Sequence, residues 1–253
     1  MLPRVLISLV RLRSPLSGWR FAGYKARHIL HIGAHLCEEM DEYLDSGCEF
    51  VSWVEANSLN KSAIPSAIDP ESILWSAVTD EDGSIVTLKI SENSVSSSIL
   101  NLLGNVDFSG VNIVKEITVP TTTLNSAIDW ANKRTGQNVD FLVLDIQGAE
   151  GLALSATSMC LRDVSAISIE VSRVDLYSTS YDYSFVRARL GQFGFIRTLT
   201  FINPLNGHGD ELWINRKNPL SRRITLRLFS LIRDFLFFVF WIKSNFFSRR
   251  RAY

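Results

Sequence analysis

Four residues able to do chemistry stand where apolar runs stop. Gly33 follows HILHI, Glu55 follows FVSWV, Asp145 follows DFLVL and Glu170 follows AISI. The Gly33-Ala34-His35 turn lets a backbone approach a ligand closely, and a helix opening after it would aim its N–H groups at that ligand. The turn lacks the G-x-G-x-x-G spacing of a dinucleotide site, and Cys37 and Glu38 stand at the expected helix start. An acidic start repels a pyrophosphate, so a nucleoside-like ligand without phosphate fits better. Glu55 lies about 20 residues beyond the turn, where a carboxylate commonly accepts hydrogen bonds from ribose hydroxyls. The plainer alternative for it is a solvated loop acid. Gln147 and Gly148 read as a second turn whose backbone approaches the ligand.

These residues need elements to hold them. HILHIGA (28–34) and EFVSWVEA (49–56) read as strands, separated by a helical LCEEMDEYLDSG that Gly47 closes. SILWSAV (72–78) is a further apolar run, and SIVTLKI with NIVKEITVP reads as an antiparallel pair. TTLNSAIDWANKR is a helix capped by Thr122 or Thr123. VDFLVLDI (139–146) and VSAISIEV (164–171) are the nearly continuous apolar runs of strands buried on both faces of a parallel sheet. AEGLALSATSM and DYSFVRARLGQFG are helical, the second closed by Gly194, and FIRTLTFI with DELWINR closes the sheet as an antiparallel pair. Such alternation specifies an α/β, doubly wound sheet with helices on both faces. Its ligands bind outside the carboxyl ends of the strands, where the four residues stand.

Composition bounds the partners. The chain has 253 residues, 46% hydrophobic and 21% charged, enough for one α/β domain or two small ones without disulfides or a structural metal. Cys37, Cys48 and Cys160 are odd in number and irregular in spacing, which excludes a zinc site and a bridged framework. They fit reduced thiols in an intracellular protein. The formal net charge is zero, yet residues 31–215 hold 10 basic against 25 acidic side chains, a net of −15. Residues 1–30 hold six basic side chains and no acidic one, and residues 216–253 hold ten basic ones beside Asp234. An acidic body matches a nucleic-acid backbone poorly, so nucleic acid is not an expected partner.

The expected organisation is a basic segment over 1–27, a body over 28–217 and a basic, aromatic-rich segment over 218–253. MLPRVLISLVRLR lacks the long apolar run and cleavage site of a secretory signal, and reads as a basic interfacial or partner-binding segment. ITLRLFSLIRDFLFFVFWI (224–242) has the length of a membrane span, but Arg227, Arg233 and Asp234 inside it disfavour one. On a helix those charges and Ser230 form one polar stripe, and Arg222, Arg223, Arg249, Arg250 and Arg251 flank it as at an anionic lipid surface. A helix lying on a membrane and a helix packed on protein both fit. The expected location is cytoplasmic, peripheral on the inner face of a membrane.

HIGAHLCEE, WVEAN (53–57), SAVTDEDG (76–83), SSSIL (96–100), TTTLN (121–125), DFLVLDIQGAEGLAL (140–154) and ISIEVSRVDLY (167–177) follow one another in that order. Together they resemble the motifs of the FkbM-type S-adenosylmethionine-dependent methyltransferases, over residues 28–215. The resemblance implies a Rossmann-like, seven-stranded class I methyltransferase fold, mostly parallel with an antiparallel last strand. It implies methyl transfer from S-adenosylmethionine to a hydroxyl of a sugar, glycan or lipid-linked acceptor.

The cofactor residues so implied are His31, Gly33, Ala34, His35 and Glu38 around the first turn, Glu55 and Ala56 after the second strand, and Asp145 with Gln147. A sulfonium cation favours the acidic field of Glu38, Glu55 and Asp145. Asp145 is the first candidate for organising the reacting centre. Glu150 and Glu170, near the same rim, would hold the acceptor or a metal ion. His208, in NGHGDE, is a candidate base, against the commoner part of an ordinary loop histidine. Asp145, Glu150, Glu170 and Asp210 make no recognised metal spacing, so no metal is assigned.

Two residues depart from the family. Cys37 stands where members usually have Gly, and its side chain is expected to narrow the approach to the cofactor. His31 stands where many have Asp, and fits a core histidine as well as a cofactor contact. The alternative to an enzyme is a catalytically inactive, methyltransferase-like binding protein at a membrane. An NAD-dependent oxidoreductase is disfavoured by the missing Gly-rich fingerprint.

Overall fold

Runs of apolar residues long enough for two buried faces become the centre of a sheet. In the computed structural model, residues 14–21, 23–101, 103, 112–172, 177–178, 181–202 and 207–219 are described. The strands in chain order are β1 (His28–Ile32), β2 (Phe50–Glu55), β3 (Ile73–Trp75), β4 (Ala77–Thr79), β5 (Ile85–Ser91), β6 (Ile113–Thr123), β7 (Phe141–Leu144), β8 (Ala166–Ser172), β9 (Phe195–Ile202) and β10 (His208–Asn215). Seven of them form one sheet in the order β3-β2-β1-β7-β8-β10-β9, and β4-β6-β5 form a second, smaller one. β1, β2, β3, β7 and β8 pair in parallel, while β10 runs antiparallel to both β8 and β9. The doubly wound sheet with a reversed last strand is therefore present.

Period-two alternation sends the side chains of these strands to two cores. Leu30, Ile32, Leu142, Leu144, Ile167 and Ile169 face α3 (Leu124–Thr135), α4 (Glu150–Ser155) and α5 (Tyr183–Gln192). Ile29, Trp53, Phe141, Leu212 and Ile214 face the other way, with α1 (Pro15–Phe21) and Tyr43 of α2 (Met40–Asp45). α3 starts on Thr123, whose side chain accepts from Ser126 N, and stops at Gly136, with φ 69°.

The sequence reading differs from this fold in four places. The run 72–78 breaks at Ser76, which puts β3 in the large sheet and β4 in the small one; Ser76 is fixed between them by Glu55 O at 3.0 Å and Pro120 O at 3.0 Å. The helix expected from Leu36 starts at Met40, because Cys37 has φ 60° and a left-handed residue cannot sit inside an α-helix. Glu170 lies within β8 rather than at its end. The packed body also begins before residue 28: Leu16 and Trp19 of α1 are buried, and Trp19 stacks on Tyr24 with ring centroids 3.9 Å apart. The segments 1–13 and 224–242 lie outside the described residues. Among the described residues no helix is long and apolar enough to cross a membrane.

Candidate active site

The carboxyl ends of β1, β2 and β7 open into a cleft between the two sheets. Its empty volume, counting the open mouth, is about 590 Å³. Ile32, Val54, Val78 and Leu88 give it apolar walls, and Gly33, His35, Glu55, Ala56, Asp145 and Gln147 stand at its polar end. Gly33 has φ 92° and leaves this wall without a side chain. The Glu55 carboxylate is buried and held from both sides: Oε2 accepts from His35 N at 2.6 Å and Oε1 from Asn57 N at 2.6 Å. Burial pushes its pKa above the usual carboxylate range, against these two N–H groups, which favour the anion.

A serine-rich strap closes the cleft on one side. Ser94, Val95, Ser97, Ser98 and Ile99 line it. His35 Nε2 lies 2.6 Å from Ser94 Oγ, and its Nδ1 lies 2.8 Å from Glu38 Oε1. Ser98 Oγ donates to the Gln147 carbonyl at 2.8 Å. The three residues at these junctions, His35, Ser94 and Gln147, all have left-handed φ, of 46°, 56° and 53°. Backbone of that kind in non-glycine residues collects at functional loops, where the surroundings impose it.

Beyond Asp145 the rim turns acidic. Gln147 Nε2 donates to Asp145 Oδ1 and to Glu170 Oε2, each at 2.8 Å, and Glu170 Oε1 lies 2.8 Å from His208 Nε2. Asp210 is directly opposite Glu170 across β8 and β10. Burial, reinforced by the Asp145 carboxylate, holds the Glu170 pKa well above the ordinary range. Burial and the neighbouring Glu170 push Glu150 up to about 8. Asp210 is pushed up to about 6, by burial and then by Asp145, against the opposing His208. Among the described residues no group of three or more His, Cys, Asp or Glu could hold a metal ion. The arrangement suits proton transfer beside a bound small molecule.

The sequence profile described as the methyltransferase FkbM domain matches residues 28–197. The chain belongs to the FkbM methyltransferase family. No curated protein sequence matches it. Its fold is similar to a chain of the Mtq2–Trm112 complex of E. cuniculi, at 11% identity and a TM-score of 0.35, over 79% of this chain and 89% of that one. So distant a likeness carries nothing about the site.

In this FkbM methyltransferase the expected site residues divide into three groups. Gly33, His35, Glu55, Ala56, Asp145 and Gln147 line the cleft. Glu170 and His208 join it through Gln147. His31, Ala34 and Glu38 do not line it. His31 is 3% exposed on the opposite face of the sheet, with Nδ1 2.9 Å from Tyr43 Oη and its ring 5.4 Å from that of Trp53. Glu38 touches the cleft lining at His35, whose Nδ1 lies 2.8 Å from Glu38 Oε1. Cys37 corrects an expectation: its side chain is 2% exposed, in the core cluster that also holds Tyr43 and Trp53, and it is not among the residues lining the cleft. Its departure from glycine is met in the backbone, at φ 60°. The reading of residues alone missed the strap serines and Tyr177, whose Oη donates to Gln147 Oε1 at 3.3 Å. SSSIL, and the Tyr177 that ends ISIEVSRVDLY, were their visible traces.

Proposed function

We propose that this methyltransferase binds S-adenosylmethionine in the cleft and methylates a hydroxyl of a sugar, glycan or lipid-linked acceptor. The observation that carries the reading is the Glu55 carboxylate. It has about four lone-pair sites, and backbone N–H groups of His35 and Asn57 use two of them. The Ala56 N–H also favours the anion, and the remaining capacity would take a hydroxyl of a vicinal diol such as that of ribose. The rest of the cleft fits the same cofactor: Ile32, Val54, Val78 and Leu88 would pack on the base, and Glu55 and Asp145 favour a cation over a neutral nucleoside. When bound, S-adenosylmethionine supplies a methyl group on a sulfonium centre.

The chain's own part in the chemistry is alignment and proton removal. Methyl transfer to an alcohol needs the acceptor oxygen held in line and its proton taken away. Asp145, at the junction of cleft and acidic rim, orients the acceptor hydroxyl. The carboxyl pair of Asp145 and Glu170 receives the proton, with His208 2.8 Å from Glu170. The inactive alternative rested on Cys37, whose side chain is 2% exposed and does not line the cleft. The segment 218–253 is read as the peripheral contact with an anionic membrane, which suits a lipid-linked acceptor.

A methyl-labelled donor, offered with a panel of free and lipid-linked glycans, tests this reading. Label transferred to a hydroxyl of one class, and lost in Asp145→Asn, is the expected result. Label transferred to nitrogen or carbon instead would overturn the assignment of the acceptor.

A further inference from the structure

Every polar atom of the Gln147 side chain is engaged. Nε2 lies 2.8 Å from Asp145 Oδ1 and 2.8 Å from Glu170 Oε2, and Oε1 accepts from Tyr177 Oη at 3.3 Å. The backbone is pinned as well, with the carbonyl accepting from Ser98 Oγ at 2.8 Å. A primary amide has two hydrogens on nitrogen, one for each carboxyl group. Turned over, it would set its oxygen against two acids and leave Tyr177 facing a donor. Its partners therefore fix its orientation.

The chemical nature of the bridge matters. A lysine here would neutralise both acids and hold both as anions. A leucine would hold neither. A neutral donor keeps the two carboxyl groups side by side without forcing both to ionise.

We propose that Gln147 is a positioning residue that fastens Asp145 to Glu170, so that the two carboxyl groups act as a unit at the acceptor side of the cleft. The inference rests on the reading of this rim as the reacting site. An acceptor hydroxyl that loses its proton gives it to the ionised member of the pair, its oxygen keeping the bonding electrons. His208 meets the outer oxygen of Glu170 and extends the unit by one step.

The groups facing the pair come from several elements. Glu150 stands on α4, Asp210 and His208 on β10, and Tyr177 beyond β8; Glu39 and His31 approach from the α2 side. Four of these are acids or a phenol that oppose a second negative charge on the pair. Burial adds to them and keeps Glu170 protonated well above the usual range. The Gln147 donor acts against that, since it favours the anion.

The test is a carbon-13 NMR titration of the full-length protein carrying carboxyl-labelled Asp and Glu. Wild type should show Glu170 titrating far above the ordinary carboxylate range. Gln147→Leu keeps bulk and removes both donors, and should raise the Glu170 midpoint by about one pH unit. An amide that merely supports the fold would lower thermal stability and leave that midpoint in place, which overturns the proposal. A wild-type Glu170 that titrates in the ordinary carboxylate range overturns it too. Should the leucine variant not fold, Tyr177→Phe frees the amide to turn; a smaller rise is expected, and an unchanged midpoint refutes the role. S-adenosylmethionine calorimetry on the same samples separates the two readings. A raised midpoint in the variant without cofactor binding to wild type would refute the proposed function alone, and binding with an unmoved midpoint would refute the positioning role alone.

Discussion

Gly33 stands so close to the backbone of Asp145 that a Cβ on it would lie 1.7 Å from the Asp145 carbonyl oxygen. The contact joins the ends of β1 and β7, where the cofactor side of the cleft meets its acidic rim. At φ 92° the position is unfavourable for any side chain even without the clash. Gly33→Ala is expected to lower the free energy of unfolding by about 2 kcal/mol or more, read from denaturant midpoints at constant slope. A variant as stable as wild type would mean that the two strand ends can separate freely.

Asp145→Asn keeps the shape of the side chain and an oxygen for the Gln147 amide. Its thermal midpoint should stay within a few degrees of wild type while kcat falls by about a hundredfold, the scale of lost acid–base or orienting catalysis. The lost charge should also let Glu170 ionise at lower pH, since Asp145 is the strongest neighbour holding it up after burial. Unfolding of the variant would make the carboxylate structural.

Glu150 gives the body an unusual pH dependence. Its folded pKa of about 8 lies above the unfolded value, so the folded state binds the extra proton. Its contribution to stability is complete below the ordinary range near 4.5 and is lost as pH rises toward 8. Glu150→Gln keeps an oxygen for Ile146 N, which now donates at 2.8 Å, and removes the titration. The variant should gain about 1 kcal/mol or more over wild type at pH 8 relative to pH 5. Equal slopes of stability against pH in the two proteins would contradict the assignment.

Much of the architecture was legible because it depends on period and punctuation. HILHI, FLVL and AISIEVS are buried along most of their length, and the strands they form lie side by side with β7 between β1 and β8. Thr123 and Gly136 bound α3 as cap chemistry requires. Glu55 and Asp145 were legible because strand ends carry ligands in such sheets. What remained hidden depends on distance through space. Ser94 reaches His35 across 59 residues of sequence, and Tyr177 reaches Gln147 across 30. No local pattern marks such contacts. Cys37 and His31 misled for a related reason: a position near a glycine turn does not say which face of the sheet its side chain enters, and both enter the aromatic core.

The charged and aromatic segment 224–242 is expected to bind anionic vesicles at low salt and to release them as salt rises, each flanking arginine contributing about 1 kcal/mol near the surface. A chain truncated after Asn218 should stay folded and lose vesicle binding. Indifference of the full chain to vesicles would favour packing on protein, and resistance to carbonate extraction would favour a span.

Isothermal calorimetry of S-adenosylmethionine with wild type and Glu55→Gln tests the central claim most directly. The expected result is one-to-one binding to wild type, weakened a few-fold to about a hundredfold in the variant, the scale of a lost charge-assisted hydrogen bond. Absence of binding to wild type, or an unchanged dissociation constant in Glu55→Gln, would contradict the assignment of this cleft to the cofactor.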